Sequence, residues 1–112
     1  MNDLEELKKR IIKFRDERDW KQFHSVQHLI NALSIEVSEL SELFLWKTES
    51  EINQSLKNDD FKENVNDEIA DILNYLMLIS DKLNVDIIKA SNNEINKNQK
   101  KYSIDKFSGV ST

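Results

Sequence analysis

Residues that interrupt helices are almost missing from this sequence of 112 residues, which contains no proline and a single glycine, Gly109, close to its end. Chains built from strands and tight turns depend on these residues, whereas long helices do not. Apolar residues recur at spacings of three and four along most of the chain, as they do on one face of an α-helix. The sequence therefore predicts an all-α fold.

Four stretches of the chain carry this helical pattern. The first begins at Asp3, which is placed as an N-cap residue. The predicted helices span residues 3–18, 25–46, 61–83 and 86 to about 102. A polar connection over residues 48–60 has room for one helical turn. We expect an antiparallel four-helix bundle over residues 1–102 and a polar, mobile C-terminal tail over residues 103–112.

The composition leaves this bundle with a thin core. Charged residues make up 33% of the sequence and hydrophobic residues 38%, which is little apolar material for a solitary domain. The third predicted helix is the most apolar, so we place it at the centre of the bundle. Arg15 and Arg18 are expected on the solvated outer face of the first helix, together with its lysines. These features favour completion of the bundle by oligomerisation.

Charge and residue types exclude several classes of protein. The net charge of -5 argues against non-specific binding of nucleic acid, although bound Mg²⁺ would let an acidic site accept a small anion. The absence of cysteine excludes disulfides, thiolate zinc sites and cysteine nucleophiles. The N-terminal residues do not resemble a signal peptide, and no apolar run is long enough to span a membrane. We therefore expect a cytoplasmic protein.

Two pairs of acidic residues stand within the apolar helical pattern. Glu36 and Glu39 are three residues apart, and so are Glu68 and Asp71, which places each pair on one face of its helix. If the two helices pack together, four carboxylates converge, and two of them at about 4 Å repel by about 4 kcal/mol at an effective dielectric of about 20. Either a cation among them or protonation of some of them relieves this repulsion, and an all-oxygen site suits Mg²⁺ first and Mn²⁺ next. Such sites commonly handle phosphate oxygens.

Other interpretations of these residues remain to be weighed. An acid pair on a helix is most often a solvated face, which would make the chain a non-enzymatic helical interaction module. A di-iron carboxylate bundle would require Glu-x-x-His pairs, and neither acid pair has histidine at that place. His24 and His28 have a spacing that can hold zinc on a helix, but Ser25 stands where zinc proteases carry glutamate.

Aromatic residues concentrate in the connection between the first two helices. Trp20, Phe23 and His24 all lie in this short segment. Aromatic residues in a loop either close the end of a core or line a pocket. The sequence leaves both possibilities open.

Three segments together resemble the MazG-like nucleotide pyrophosphohydrolases, and within that family the dCTP pyrophosphatase branch. The segments are FRDERDWKQFH at residues 14–24, EVSELSELFLW at residues 36–46 and EIAD at residues 68–71. The resemblance implies an all-α bundle that forms a homodimer or homotetramer. It also implies Mg²⁺-dependent cleavage of a nucleoside triphosphate, with dCTP or a modified dCTP as the substrate, to monophosphate and pyrophosphate. This reaction would remove unwanted nucleotides from the cellular pool.

The same resemblance implies roles for individual residues. The Mg²⁺ ligands would be Glu36, Glu39, Glu68 and Asp71. The substrate-binding residues would be Trp20, His24, Trp46, Lys47, Tyr75, Asn98, Lys101 and Tyr102. A carboxylate, Glu39 or Glu42, could take the proton of the attacking water.

Two positions depart from the family pattern. Ser103 stands where relatives have proline after the Lys-Tyr pair, which leaves the tail less fixed. Glu94 stands where relatives commonly carry a lysine that meets the phosphates. Lys97 or Lys101 could replace that lysine.

Overall fold

The structure is a computed structural model that describes residues 2–109, and in this range it contains helices and no strand. The elements are α1 (Asp3–Glu17), a 3-10 helix (Lys21–Phe23), α2 (Val26–Phe44), α3 (Glu49–Ser55), α4 (Asp59–Lys82), α5 (Ile87–Lys101) and α6 (Ile104–Phe107). The predicted all-α fold is confirmed. The four long helices match the four predicted ones to within a few residues at each end.

Polar side chains cap the helix starts. The Ser25 and Asp86 side chains accept hydrogen bonds from the backbone N–H groups of the third helical residues of α2 and α5. The first cap is Asn2 rather than the predicted Asp3, because Asn2 Oδ1 accepts from Glu5 N–H at 2.8 Å. Asp3 instead lies in the first turn of α1, where a negative charge faces the positive end of the helix dipole.

The connection predicted at residues 48–60 contains a complete short helix, α3. Thr48 Oγ1 accepts from the backbone N–H of Glu51 at 3.1 Å, and Glu51 Oε1 accepts from the backbone N–H of Thr48 at 3.3 Å. This reciprocal pair forms a capping box, which satisfies two backbone donors at once. The helix therefore depends on its cap rather than on an apolar face.

Helix α4 is the centre of the packed part of the molecule. It makes its most extensive contact with α2 and also packs against α1. Within residues 2–109 the buried apolar side chains are Leu29, Val65, Met77 and Leu78, three of which belong to α4. These contacts agree with the predicted central position of this helix, but α2 rather than α4 is the more apolar of the two.

Helix α5 lies outside this packed part. Every residue from 88 to 101 is exposed, and Ile88 and Ile95 keep about half of their surface open to solvent. The radius of gyration is 17.5 Å, whereas a compact domain of this length has about 13 Å. Within the described chain the fourth predicted helix thus forms, but it makes no extensive contact with the other three.

Arg15 corrects one expectation about α1. It was expected on the solvated outer face, yet it is 5% exposed, whereas Arg18 is exposed and its guanidinium lies 3.6 Å from the Phe14 ring centroid. Arg15 follows Ile11 by four residues, so it continues the inner face of the helix. Its guanidinium is stabilised there by Asp16 and by Asp81 of α4.

The expected C-terminal tail, residues 103–112, lies only partly within the described residues. It contains the short helix α6, and residues 110–112 lie outside the described range. Its mobility stays a prediction. None of the helices in the described range combines the length and the apolar character needed to cross a membrane.

Candidate metal and substrate site

The packing of α2 on α4 brings three of the four predicted metal ligands together. Glu36, Glu39 and Glu68 each offer a carboxylate oxygen, and these oxygens all lie within 4.8 Å of one another. Glu36 and Glu39 share one face of α2, and Glu68 approaches from α4. We call these three residues the acidic cluster. The fourth predicted ligand, Asp71, lies one turn beyond Glu68 on α4 and outside the cluster.

The interior of the acidic cluster lacks hydrogen-bond donors. The Oε2 atoms of Glu36 and Glu68 are fully buried and accept no hydrogen bond in the part of the chain that the structure describes. Glu39 is exposed, so the cluster is open on one side. Buried carboxylate oxygens without a donor are unfavourable unless a proton or a cation satisfies them.

The raised pKa values of two members of the cluster also indicate that its negative charges are unfavourable without a proton or a cation. The hydrogen bond with Glu68 and the negative charge of Glu68 raise the pKa of Glu39 above its ordinary value. The pKa of Glu68 is raised by its hydrogen bond with Glu36, by burial, and by the charges of Glu36 and Asp71. Because carboxylates are not donors, these contacts become hydrogen bonds only when one carboxyl carries a proton. The raised pKa values of Glu39 and Glu68 mean that their negative charges are unfavourable in the cluster, and a bound cation would offset this cost.

A cavity of about 510 Å³ adjoins the acidic cluster, and Glu36 belongs to both. Its wall is contributed by α1, the first connection, α2 and α4. The lining residues are Leu7, Arg10, Ile11, Phe14, Arg15, Trp20, His24, Glu36, Asp71, Asn74, Tyr75 and Leu78. Five of the predicted site residues thus meet in this aromatic cavity: Trp20, His24, Glu36, Asp71 and Tyr75.

The first connection lines the cavity rather than closing the end of the core. Its chain leaves α1 through Asp19, whose φ of 53° lies in the left-handed region. The backbone N–H of Trp20 then donates to the backbone oxygen of Arg15 at 3.1 Å. The Trp20 ring packs edge to face on the Phe14 ring, with centroids 5.6 Å apart. Phe23 remains 64% exposed. Of the two possibilities that the sequence left open, the structure supports a pocket wall.

His24 presents a neutral imidazole to the cavity. Burial lowers the pKa of His24 first, and the nearby His28, Arg15 and Lys82 lower it further. Its ring stacks on His28 with centroids 6.1 Å apart, and its Nδ1 atom is buried without a hydrogen-bond partner among the described residues. A neutral histidine can donate from one ring nitrogen and accept at the other.

Tyr75 keeps its proton at neutral pH. Burial raises the pKa of Tyr75, and the negative charges of Glu36 and Asp71 raise it further. Its hydroxyl can therefore donate a hydrogen bond to a group in the cavity.

Several predicted site residues lie away from the cavity. Trp46 is 92% exposed with φ 63°, and Lys47 Nζ donates to Ser55 Oγ at 3.1 Å. Glu42 belongs to neither the cluster nor the cavity wall, although its charge helps to raise the pKa of Glu39. The three remaining candidates stand at the end of α5 or just after it: Asn98, Lys101 and Tyr102. Their roles stay predictions.

Sequence reasoning missed three polar residues of the cavity wall, Arg10, Arg15 and Asn74. Asn74 follows Asp71 by three residues, so helical spacing could have placed it on the same face. Arg15 could have been found by its spacing of four from Ile11.

The protein is therefore a helical one in which two packed helices gather carboxylates that could hold a metal ion, beside an aromatic cavity. A model of the MazG-like family matches residues 31–112. The chain belongs to the MazG-like family, and the family predicted from its sequence motifs is thereby confirmed.

Named relatives support this assignment. The chain is 33% identical over 101 residues to dCTP pyrophosphatase 1 of Rattus norvegicus and 34% identical over 99 residues to dCTP pyrophosphatase 1 of Homo sapiens. These matches cover 90% and 88% of this chain but 59% and 58% of the relatives, so the chain spans about three fifths of their length.

A solved structure has the same fold. The crystal structure of a pyrophosphatase from Archaeoglobus fulgidus is 36% identical in sequence and superposes with a TM-score of 0.84. The match covers 92% of this chain and 94% of the other.

Proposed function

We propose that the protein is a Mg²⁺-dependent nucleoside triphosphate pyrophosphohydrolase that cleaves dCTP or a modified dCTP to monophosphate and pyrophosphate. The observation that carries the proposal is the acidic cluster, which directly adjoins an aromatic cavity large enough for a nucleoside. The relatives' names support the reaction and the base. The cellular role would be removal of unwanted nucleotides, in the cytoplasm.

The residues of the cluster fit a hard divalent cation. Their ligand atoms are all carboxylate oxygens, and two buried oxygens lack any donor in the described chain. Glu36, Glu39 and Glu68 would hold Mg²⁺, for which Mn²⁺ could substitute, and Asp71 would complete the set. When bound, the cation neutralises charge on phosphate oxygens and on the leaving pyrophosphate.

The chain's own residues supply the remaining functions. Trp20 and Phe14 offer aromatic faces for the base, since stacking on aromatic rings binds nucleobases. Neutral His24 can hydrogen-bond to the base or sugar without adding charge, and the Tyr75 hydroxyl can donate to a substrate oxygen. Glu39 or Glu42 takes the proton of the attacking water.

Further substrate contacts would come from residues outside the cavity wall. Trp46 and Lys47 follow α2, and Asn98, Lys101 and Tyr102 belong to α5 and the residue after it. Helix α5 does not line the cavity of its own chain. It can supply such contacts if it docks beside the cavity of a neighbouring subunit.

The active protein would be a homodimer or homotetramer in which the four-helix bundle is completed. Two features support this assembly: the exposed helix α5 and an outer apolar face on α4. The residues of that face follow one another at helical spacing and are all exposed: Ile69, Leu73 and Leu76. Exposed apolar faces of this kind commonly mark protein–protein interfaces. The net charge of -5 gives no support for nucleic acid as a partner.

A product assay tests the reaction. Purified protein is incubated with Mg²⁺ and a panel of deoxy- and ribonucleoside triphosphates, and the products are separated by charge. We expect monophosphate and pyrophosphate, with dCTP among the best substrates and no turnover after chelation. Diphosphate and phosphate would show a different cleavage site. No turnover of any triphosphate by folded protein would favour the non-enzymatic interaction module.

A further inference from the structure

Arg15 is the buried charged residue of the described chain, and it lies in the wall of the aromatic cavity. Its Nε donates to Asp16 Oδ1 at 2.9 Å, and its Nη1 donates to Asp81 Oδ2 at 3.2 Å. Bonds at two different nitrogens fix the orientation of the planar guanidinium. Arg15 is therefore a rigid donor group rather than a mobile surface cation.

The guanidinium keeps donors that the protein does not use. It carries five N–H groups, and the two bonds to Asp16 and Asp81 occupy two of them. The Arg15 guanidinium makes no other hydrogen bond or ion pair with residues 2–109. Because the residue lines the cavity, the remaining donors can reach a ligand bound there.

The charge of Arg15 is already balanced. Asp16 and Asp81 face it from two elements, and Lys8 Nζ lies 3.9 Å from the other oxygen of Asp81. Arg15 therefore contributes hydrogen-bond donors of fixed orientation to a ligand, and little net positive charge. Its neighbours on α1 in the cavity wall include the apolar Ile11 and the aromatic Phe14, whereas the carboxylates of the wall come from α2 and α4. Fixed donors in such a wall suit a flat heterocycle that carries acceptor atoms better than they suit a phosphate.

We propose that Arg15 is a specificity-determining residue that donates to a carbonyl oxygen or ring nitrogen on the edge of the bound base. The inference rests on the proposed function and deepens it, because it names the group that reads the base. A second contact links Arg15 to the stacking wall: its backbone oxygen accepts from Trp20 N–H at 3.1 Å. One residue thus anchors the backbone that carries an aromatic face and supplies donors to the same cavity.

The test is Arg15→Lys. Lysine keeps a positive charge for Asp16 and Asp81 but loses the planar arrangement of donors. We expect the ratio of kcat/KM between the best and the worst of the four deoxynucleoside triphosphates to fall by about tenfold or more. Lys13→Arg is the control, since Lys13 is an exposed cation of the same helix that does not line the cavity, and the ratio for this variant should match that of the wild type.

A second measurement separates this inference from the proposed function. Tryptophan fluorescence is titrated with the four deoxynucleosides, without phosphate groups or metal, so that only base and sugar contacts contribute. We expect the deoxynucleoside of the best triphosphate to bind most tightly to the wild type, and Arg15→Lys to lose that preference. If Arg15→Lys does not fold, Asp81→Asn is used, which keeps Arg15 but replaces the carboxylate that orients its Nη1 by a neutral amide; the base preference of this variant should weaken in the same direction.

The outcomes are distinct. An equal fall in kcat/KM for all four triphosphates, with unchanged nucleoside preference, would overturn the inference and assign Arg15 to structure or to a phosphate. Hydrolysis of no triphosphate, with a nucleoside preference that depends on Arg15, would overturn the proposed function and keep the inference. Neither hydrolysis nor nucleoside binding by the wild type would overturn both.

Discussion

Glu39 is the exposed member of the acidic cluster, so a substitution there disturbs packing least. We expect Glu39→Gln to reduce turnover by about 100-fold or more, the usual effect of removing an electrostatic group from a reaction site. Helix content, measured by circular dichroism, should not change. Glu63→Gln, which alters an exposed acid of α4 outside the cluster, is the control and should keep wild-type turnover.

The same variant reports on metal binding independently of activity. A cation that binds only the folded protein raises its melting temperature by mass action. Mg²⁺ or Mn²⁺ should therefore raise the melting temperature of the wild type and of Glu63→Gln, and much less that of Glu39→Gln. An equal gain in all three proteins would contradict a metal site at the cluster.

His24 gives the stability of the protein a dependence on pH. Burial and the positive neighbours His28, Arg15 and Lys82 lower the pKa of His24. Folding then releases protons between the unfolded pKa, about 6.5, and the lower folded value. The stability that neutral His24 allows is therefore fully present above a pH of about 6.5. Below that pH the free energy of unfolding falls, because the unfolded chain takes up the proton more readily than the folded protein. From about pH 7 to about pH 5 the wild-type melting temperature should fall more steeply than that of His24→Gln; parallel curves would contradict this.

Spacing within a helix identifies residues that meet, but not what their charges do. The meeting of Glu36, Glu39 and Glu68 could be predicted from the sequence, because it requires only one face of each of two helices and one packing contact between those helices. Arg15 was misplaced because a charged residue is assigned to the surface by default, and its partner Asp81 lies 66 residues further along the chain. Only the packing of α1 on α4 reveals that pair.

At the level of elements, the long helices follow from apolar periodicity, whereas α3 does not. Its seven residues carry no repeating apolar face, and the signal that remains is the Thr48-x-x-Glu51 cap. The position of α5 was equally beyond the sequence, because an amphipathic pattern shows that a face will be covered but not by which chain.

The cap of α3 can be tested directly. Thr48→Ala removes the side-chain oxygen that accepts from Glu51 N–H, and we expect a loss of about 1 kcal/mol in the free energy of unfolding. Ser50→Ala lies in the same short helix at an exposed position and should leave stability nearly unchanged. The measurement is urea denaturation followed by circular dichroism. Equal effects of the two substitutions would show that the cap does not hold α3.

At the level of the whole molecule, the core of a single chain is small for its length. Leu73 lies in the middle of the outer apolar face of α4 and is 36% exposed. Leu73→Lys should convert a dimer or tetramer to a smaller species, because a charge in an apolar interface is strongly unfavourable. Light scattering after size exclusion measures the mass, with Asn64→Lys on the opposite side of α4 as control. A wild type that is monomeric at all concentrations would contradict the proposed assembly.

Helix α5 stands apart from the cavity of its own chain, and this has a genetic consequence. If Asn98 serves the site of a neighbouring subunit, each active site is shared between two polypeptides. In a mixed dimer of the two variants both losses then fall in one site, and the other site keeps both residues intact. Coexpression of Glu39→Gln with Asn98→Ala should recover activity that neither variant has alone. Two inactive alleles would then complement each other.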